Sequence, residues 1–283
     1  MAASPRLAYW IFVGVSVALL SVATDNDANA GPPYMTDDPE PVEYQHFEFY
    51  TLFTGTMVRG DTSGTAPGFE FNYGLIPNGQ IHIIAPLTFD APAGGAAVSG
   101  NGDTELGFKY RFIDEDPHGS MPMVGVYPLV ELPSGNESLP LGAGYVRAYF
   151  PVWIQKSFGE WTTYGGGGYW INHGDGTANR DYWYMGWVLQ RQVTQQLAIG
   201  GEIFHQTATV SFGSTDPAFT RPTTGFNIGA VYDVDEHNHI LASVGAGLQN
   251  ASTTNQFSWY LAYQLTGSFG AEKRAAEGGG YEK

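Results

Sequence analysis

The chain has 283 residues, with 12 Lys plus Arg against 28 Asp plus Glu, a formal charge of −16 and no cysteine. The scarcity of cations excludes the basic stripe that a nucleic-acid partner requires. Missing cysteine excludes disulfide frameworks, thiolate zinc sites and cysteine nucleophiles. Charged residues make up only 14%, below the usual quarter, while a mean hydropathy of −0.17 speaks against a bundle of membrane helices.

The first element is a leader. Arg6 precedes an apolar run from Leu7 to Val22, and Ala28-Asn29-Ala30 supplies a small-x-small cleavage box. The expected cut falls between Ala30 and Gly31; an uncleaved anchor is the competing reading, because the run is nearly long enough to span a bilayer. The expected organisation is a signal peptide over 1–30, a periplasmic or lumenal segment over 31–42, a β-barrel over 43–265 and a flexible tail over 266–283.

From Glu43 onward the hydropathy alternates with a period of two and is broken by turn chemistry about every ten residues. This predicts twelve strands near 43–54, 66–76, 80–89, 103–113, 120–132, 144–156, 161–172, 180–192, 196–207, 223–233, 239–248 and 256–265. Connections after even strands are short, as in Pro77-Asn78-Gly79 and Val193 to Gln195. Those after odd strands are mostly longer and rich in Gly, Ser, Asn and Thr, beginning with Gly55 to Thr65. Short turns at one end and long loops at the other describe an all-β, transmembrane, up-and-down antiparallel barrel with periplasmic turns and extracellular loops. Greek-key connections of a soluble sandwich have no reason to sort by length.

The faces agree. Thr104, Leu106, Phe108, Tyr110 and Phe112 alternate with Glu105, Gly107, Lys109 and Arg111, giving one face for lipid and one for a lumen. At the first short turn, a three-residue loop with Gly79 left-handed would pair Leu75 with Ile81 and keep the apolar faces matched. Aromatics near strand ends, among them Tyr50, Phe112, Trp153, Tyr182, Trp183 and Phe204, suit two interfacial girdles.

Little local chemistry is encoded. Gly165 to Gly168 lies inside a strand with no following Lys-Ser or Lys-Thr pair, so close packing or a bend in the wall is expected rather than a phosphate loop. His237 and His239 flank an acidic turn, which reads as a solvated turn more readily than a metal site. His46 shares a strand face with Glu48, and His205 lies near Glu202, neither making a complete site. No serine elbow or zinc-protease helix motif occurs. No catalytic residue, metal or cofactor is expected. The candidate permeant-contacting residues are the lumen-face side chains Glu105, Lys109, Arg111, Glu131, Arg147 and Glu202, with the aromatics Trp153 and Tyr260. Lumen charges set preference among permeants, or else neutralise one another in a filled barrel.

The most distinctive string is Gly31-Pro-Pro-Tyr-Met-Thr-Asp-Asp-Pro-Glu-Pro-Val-Glu43, followed by a strand with His46 and Glu48. With Gly102-Asp103-Thr104-Glu105-Leu106-Gly107 and Glu131-Leu132-Pro133-Ser134-Gly135, it resembles the family described as the putative MetA-pathway of phenol degradation. The resemblance implies an outer-membrane barrel passing phenol-like aromatics. It marks Thr36, Asp37, Asp38, Pro39, Glu40 and Pro41 as the family's N-terminal motif, which is either a plug or a polyproline-biased lead-in.

The expected function is a porin-like outer-membrane channel passing small apolar or aromatic solutes by passive diffusion. The alternatives are a barrel enzyme acting on lipid acyl chains and an exported soluble β-sandwich. The expected partners are outer-membrane lipid, the permeant and, during biogenesis, the barrel-assembly machinery.

Overall fold

The computed structural model describes residues 33–172, 179–209 and 221–269. The expected leader, most of the expected tail and parts of two long loops lie outside these residues. Fourteen strand segments form one sheet. They are β1 His46–Val58, β2 Asp61–Ile76, β3 Gly79–Ala91, β4 Val98–Asn101, β5 Thr104–Ile113, β6 Met123–Val126, β7 Leu129–Leu132, β8 Arg147–Phe158, β9 Trp161–Ile171, β10 Tyr182–Thr194, β11 Leu197–Gln206, β12 Thr223–Asp233, β13 Asn238–Gln249 and β14 Phe257–Ser268.

β4 and β5 both pair with β3, while β6 and β7 both pair with β5 and β8. Each couple is therefore one wall strand with a break, and the wall has twelve antiparallel strands, as the alternation predicts. The second break falls at Tyr127-Pro128, where proline has no N–H to give the ladder. The Pro128 carbonyl still accepts from Phe108 N–H at 3.1 Å. β1 pairs with β14 from His46↔Ser268 to Met57↔Phe257, which closes the barrel and leaves no free edge.

The faces sort as the period-two pattern requires. Along β10, Tyr182, Tyr184, Gly186 and Val188 are buried, while Trp183, Met185, Trp187 and Leu189 are exposed. Ile228 is 56% and Ile203 53% exposed, yet Lys109 is only 5% and Gln264 0% exposed. Apolar outside and polar inside reverses the order of a water-soluble protein and suits a wall in lipid. This removes the β-sandwich alternative.

Three expectations need correction. Gly55 to Thr65 is no long loop: β1 and β2 run on to a two-residue turn, Arg59-Gly60, with φ of 55° and 89°. Its threonines are β-branched strand formers, and composition concealed that. At the next turn, Tyr73 pairs with Ile81 and Ile76 with Gly79, and the ladder is irregular between Gly74 and Ile76. Asn78 rather than Gly79 takes the left-handed position, at φ 60°. The shift is two residues, so the apolar faces still match. Finally, Tyr50, Trp153, Tyr182 and Phe204 are buried inside the barrel rather than in a girdle; Phe112, Trp161, Trp183, Tyr232 and Phe257 are exposed outside.

The glycine run serves packing on both faces. A Cβ on Gly165 would strike the outward Trp187 ring, and one on Gly166 would crowd the inward Trp153.

Candidate functional site in the barrel lumen

The lumen is occupied from the periplasmic end by residues 33–45, which precede β1. Proline-rich extended chain makes no ladder of its own, so its polar backbone groups must find partners on the wall. They do. Ser243 Oγ donates to the Pro33 carbonyl at 2.6 Å, Val42 N–H donates to Gln80 at 2.6 Å, and Lys109 Nζ reaches the Glu40 carbonyl at 3.3 Å. Pro33 and Pro39 are among the most buried side chains of the molecule.

Two clamps fix this segment. Glu202, on β11, is 3% exposed and accepts from Thr36 N–H at 2.6 Å, Thr36 Oγ1 at 2.5 Å and Met35 N–H at 3.3 Å. Asn227 Nδ2 at 2.5 Å and the Tyr184 hydroxyl at 3.1 Å complete its shell. A buried carboxylate survives only when its lone pairs are filled in this way. Gly186 makes room for the clamp, because a Cβ there would fall on Thr36 Oγ1. The second clamp is Lys109, on β5, which pairs with Asp37 at 2.8 Å and Asp38 at 3.3 Å. Its ammonium also lies 4.9 Å from the Tyr127 ring centroid. Gln155 holds Glu40 at 3.3 Å, and Pro41 is buried beside Val42.

The other candidate residues divide by height. Arg111 sits at the periplasmic rim, paired with Asp114 at 2.8 Å and Asn78 at 2.8 Å. Glu105 contacts His82 at 3.0 Å. Glu131 and Arg147 pair with each other near the extracellular end, where Arg147 lies 5.6 Å from the Trp170 ring. Below them, aromatic rings line one side of the lumen. Tyr149 stacks on Trp170 at 4.8 Å and Trp170 on Tyr182 at 5.8 Å. Trp153, Tyr127, Tyr184 and Phe204 join Tyr149 in one buried cluster that ends at the Thr36 clamp. The Tyr149 hydroxyl and Trp153 Nε1 are buried donors with no protein partner among the described residues. Tyr260 packs against a second cluster, on the opposite side, around Tyr50 and Leu241.

Between the segment and the wall of β1, β2, β3, β5 and β14 lies a cavity of about 410 Å³. Glu70 and His82 line it, two functional candidates not expected from the sequence, together with Glu48, expected to share a strand face with His46. Their signal was available: each shares a strand face with other polar residues, opposite the apolar stripe. Tyr50 donates to Glu48 at 2.9 Å, Asn72 to Glu70 at 2.9 Å, and His82 Nδ1 meets Asn72 Oδ1 at 2.7 Å. The histidine pairings raised from sequence are absent among the described residues. His46 contacts the Tyr44 carbonyl, His205 contacts Thr224, and His239 is buried against Asp233 at 2.7 Å. No group of three metal-ligating side chains occurs among the described residues.

The family model described as "Putative MetA-pathway of phenol degradation" matches residues 45–265. The chain belongs to this family. No curated protein matches the chain. Among solved structures, an outer membrane channel of the COG4313 group from Pseudomonas putida F1 is 15% identical. The match covers 81% of this chain and 98% of that one, with a TM-score of 0.65. The NanC porin is 8% identical over 79% of this chain and 99% of its own, with a TM-score of 0.52. These likenesses give this member of the phenol-degradation family the fold of Gram-negative outer-membrane barrels. Its outward apolar face then meets membrane lipid.

Proposed function

We propose that the chain is a passive outer-membrane channel for small apolar or aromatic, phenol-like solutes. The observation that carries this reading is the aromatic wall of the lumen. It runs from Trp170 and Tyr182 near the extracellular end, through Tyr149 and Trp153, to Tyr184 and Phe204 at the Thr36 clamp. Planar rings offer a moving aromatic solute stacking contacts without binding it tightly at any one place. The unpartnered Tyr149 hydroxyl and Trp153 Nε1 can donate to an oxygen on such a solute. Glu105, Lys109, Arg111, Glu131, Arg147, Trp153, Glu202 and Tyr260 line or gate this route, and the motif Thr36 to Pro41 closes its periplasmic half.

In this reading the protein is not an enzyme, residues 1–30 are a cleaved export signal, and the barrel-assembly machinery inserts the mature chain. Transit requires the segment over 33–41 to shift. The test is uptake into liposomes carrying the purified barrel. Phenol and toluene should enter faster than into protein-free liposomes, and an Arg147→Met or Trp153→Ala variant should change the rate. Uptake equal to that of empty liposomes for every aromatic tried would overturn the proposal.

A further inference from the structure

The cavity beside the N-terminal segment carries a surplus of negative charge. Glu48, Glu70 and Glu105 line it from β1, β2 and β5. Their cationic neighbour is His82, 3.5 Å from Glu70 and 3.0 Å from Glu105. Lys109 also lines the cavity, but its ammonium is engaged by Asp37 and Asp38 at 2.8 and 3.3 Å. Eight carboxylates line the cavity against Lys109 and the histidines His46, His82 and His237, so they outnumber the basic groups two to one even with every histidine protonated. Enclosed carboxylates without matching cations are costly, and a positively charged occupant relieves that cost.

A second observation concerns Tyr127. It is 5% exposed and lines the same cavity, and its hydroxyl has no hydrogen-bond partner among the described residues. Tyr260, Ile84 and Leu129 add ring and apolar surface to the cavity lining. At about 410 Å³ the space is in the range of small-ligand pockets.

We propose that this cavity is a binding site for small single-ring compounds bearing a protonated amine. Glu48, Glu70 and Glu105 are its specificity-determining carboxylates, and Tyr127 offers its free hydroxyl to the ligand. The channel thereby sorts aromatic solutes by charge, cationic ahead of neutral, and it rejects rings that carry a carboxylate. This inference rests on the channel reading and adds a selectivity to it.

The probes are benzylammonium, benzyl alcohol and benzoate, which share a ring and a one-carbon arm but differ in charge. Their binding to the full barrel in detergent is measured by calorimetry, and their entry into barrel-containing liposomes is followed in parallel. Benzylammonium should bind at least about tenfold more tightly than benzoate at low salt, equivalent to about 1.4 kcal/mol. The gap should narrow severalfold in Glu105→Gln and in Glu48→Gln, provided each retains heat-modifiable migration. Glu160→Gln, on the exposed turn between β8 and β9 and not on the cavity lining, should keep the full gap. Benzoate binding as tightly as benzylammonium, or a gap unchanged in both glutamine variants, overturns the inference. If the three probes enter liposomes at equal rates and bind equally, the channel stands and the selectivity falls. If none enters, the channel reading falls, and the binding order in detergent still decides the site.

Discussion

The Thr36 clamp gives a sharp test of how the lumen is closed. Thr36→Val keeps the shape of the side chain and removes one donor, the 2.5 Å bond from Oγ1 to Glu202. The Thr36 and Met35 N–H groups still reach the carboxylate. A hydrogen bond to a charged group contributes about 1.5–3 kcal/mol net. Losing it should raise the released fraction of the segment roughly ten- to a hundredfold. The chain has no cysteine, so a single Val42→Cys provides a unique reporter. Val42 is only 8% exposed and its N–H is held by Gln80, so the thiol should react slowly with maleimide while the segment is seated. In the Thr36→Val background the labelling rate should rise by the same ten- to hundredfold, with longer open times in planar bilayers. Unchanged labelling and conductance in a folded Thr36→Val barrel would refute the idea that this clamp holds the segment.

Three further outcomes follow from separate parts of the molecule. Gly186→Ala places a methyl on Thr36 Oγ1, so it should release the segment with Glu202 intact; the Val42→Cys labelling assay reads this directly. Ile228→Lys puts a charge mid-way along β12 on the outer face, where the native residue is 56% exposed. In lipid vesicles it should cost about 2–4 kcal/mol by urea titration, whereas on a water-exposed surface the change would stay within about 0.5 kcal/mol. Asp235 lies on the turn between β12 and β13. Partial burial pushes its carboxyl up, but hydrogen bonds from the Asn238 side chain and from the His237 and Asn238 N–H groups outweigh this, holding it below its ordinary value. The folded pKa is therefore the lower one, and the stabilisation is present above the unfolded value and lost as pH falls through the folded one. The stability gap between wild type and Asp235→Ala should accordingly narrow below about pH 4; a gap that widens on acidification would contradict the assignment.

The alternation of side chains made the wall legible because it is local. The parity that puts Leu106 and Phe108 in lipid also puts Glu105 and Lys109 in the lumen, and β12 falls where the pattern predicts it, over 223–233. Where composition or position along a strand conflicts with parity, the structure follows parity. Phe204 is two residues from Glu202 and shares its inward face, although its place near a strand end suggests a girdle. Thr56, Thr62 and Thr65 look like loop residues because glycine and serine surround them, although their β-branching and alternation fit the strands they form. The contacts of the lumen are a different matter. Thr36 meets Glu202 across 166 residues of sequence, and Lys109 meets Asp37 across 72. Such pairs depend on the barrel closing with β1 against β14, which brings β5 and β11 to face one central segment. No window of sequence contains that geometry. What the sequence did contain was the imbalance itself: a segment rich in Asp and Pro, and a wall whose inward face carries few cations. Closure turns that imbalance into clamps where a partner exists, at Lys109. Around Glu48, Glu70 and Glu105, where His82 pairs with Glu70 and Glu105 and the Lys109 ammonium is held by Asp37 and Asp38, it leaves an acidic cavity for a cationic ligand to fill.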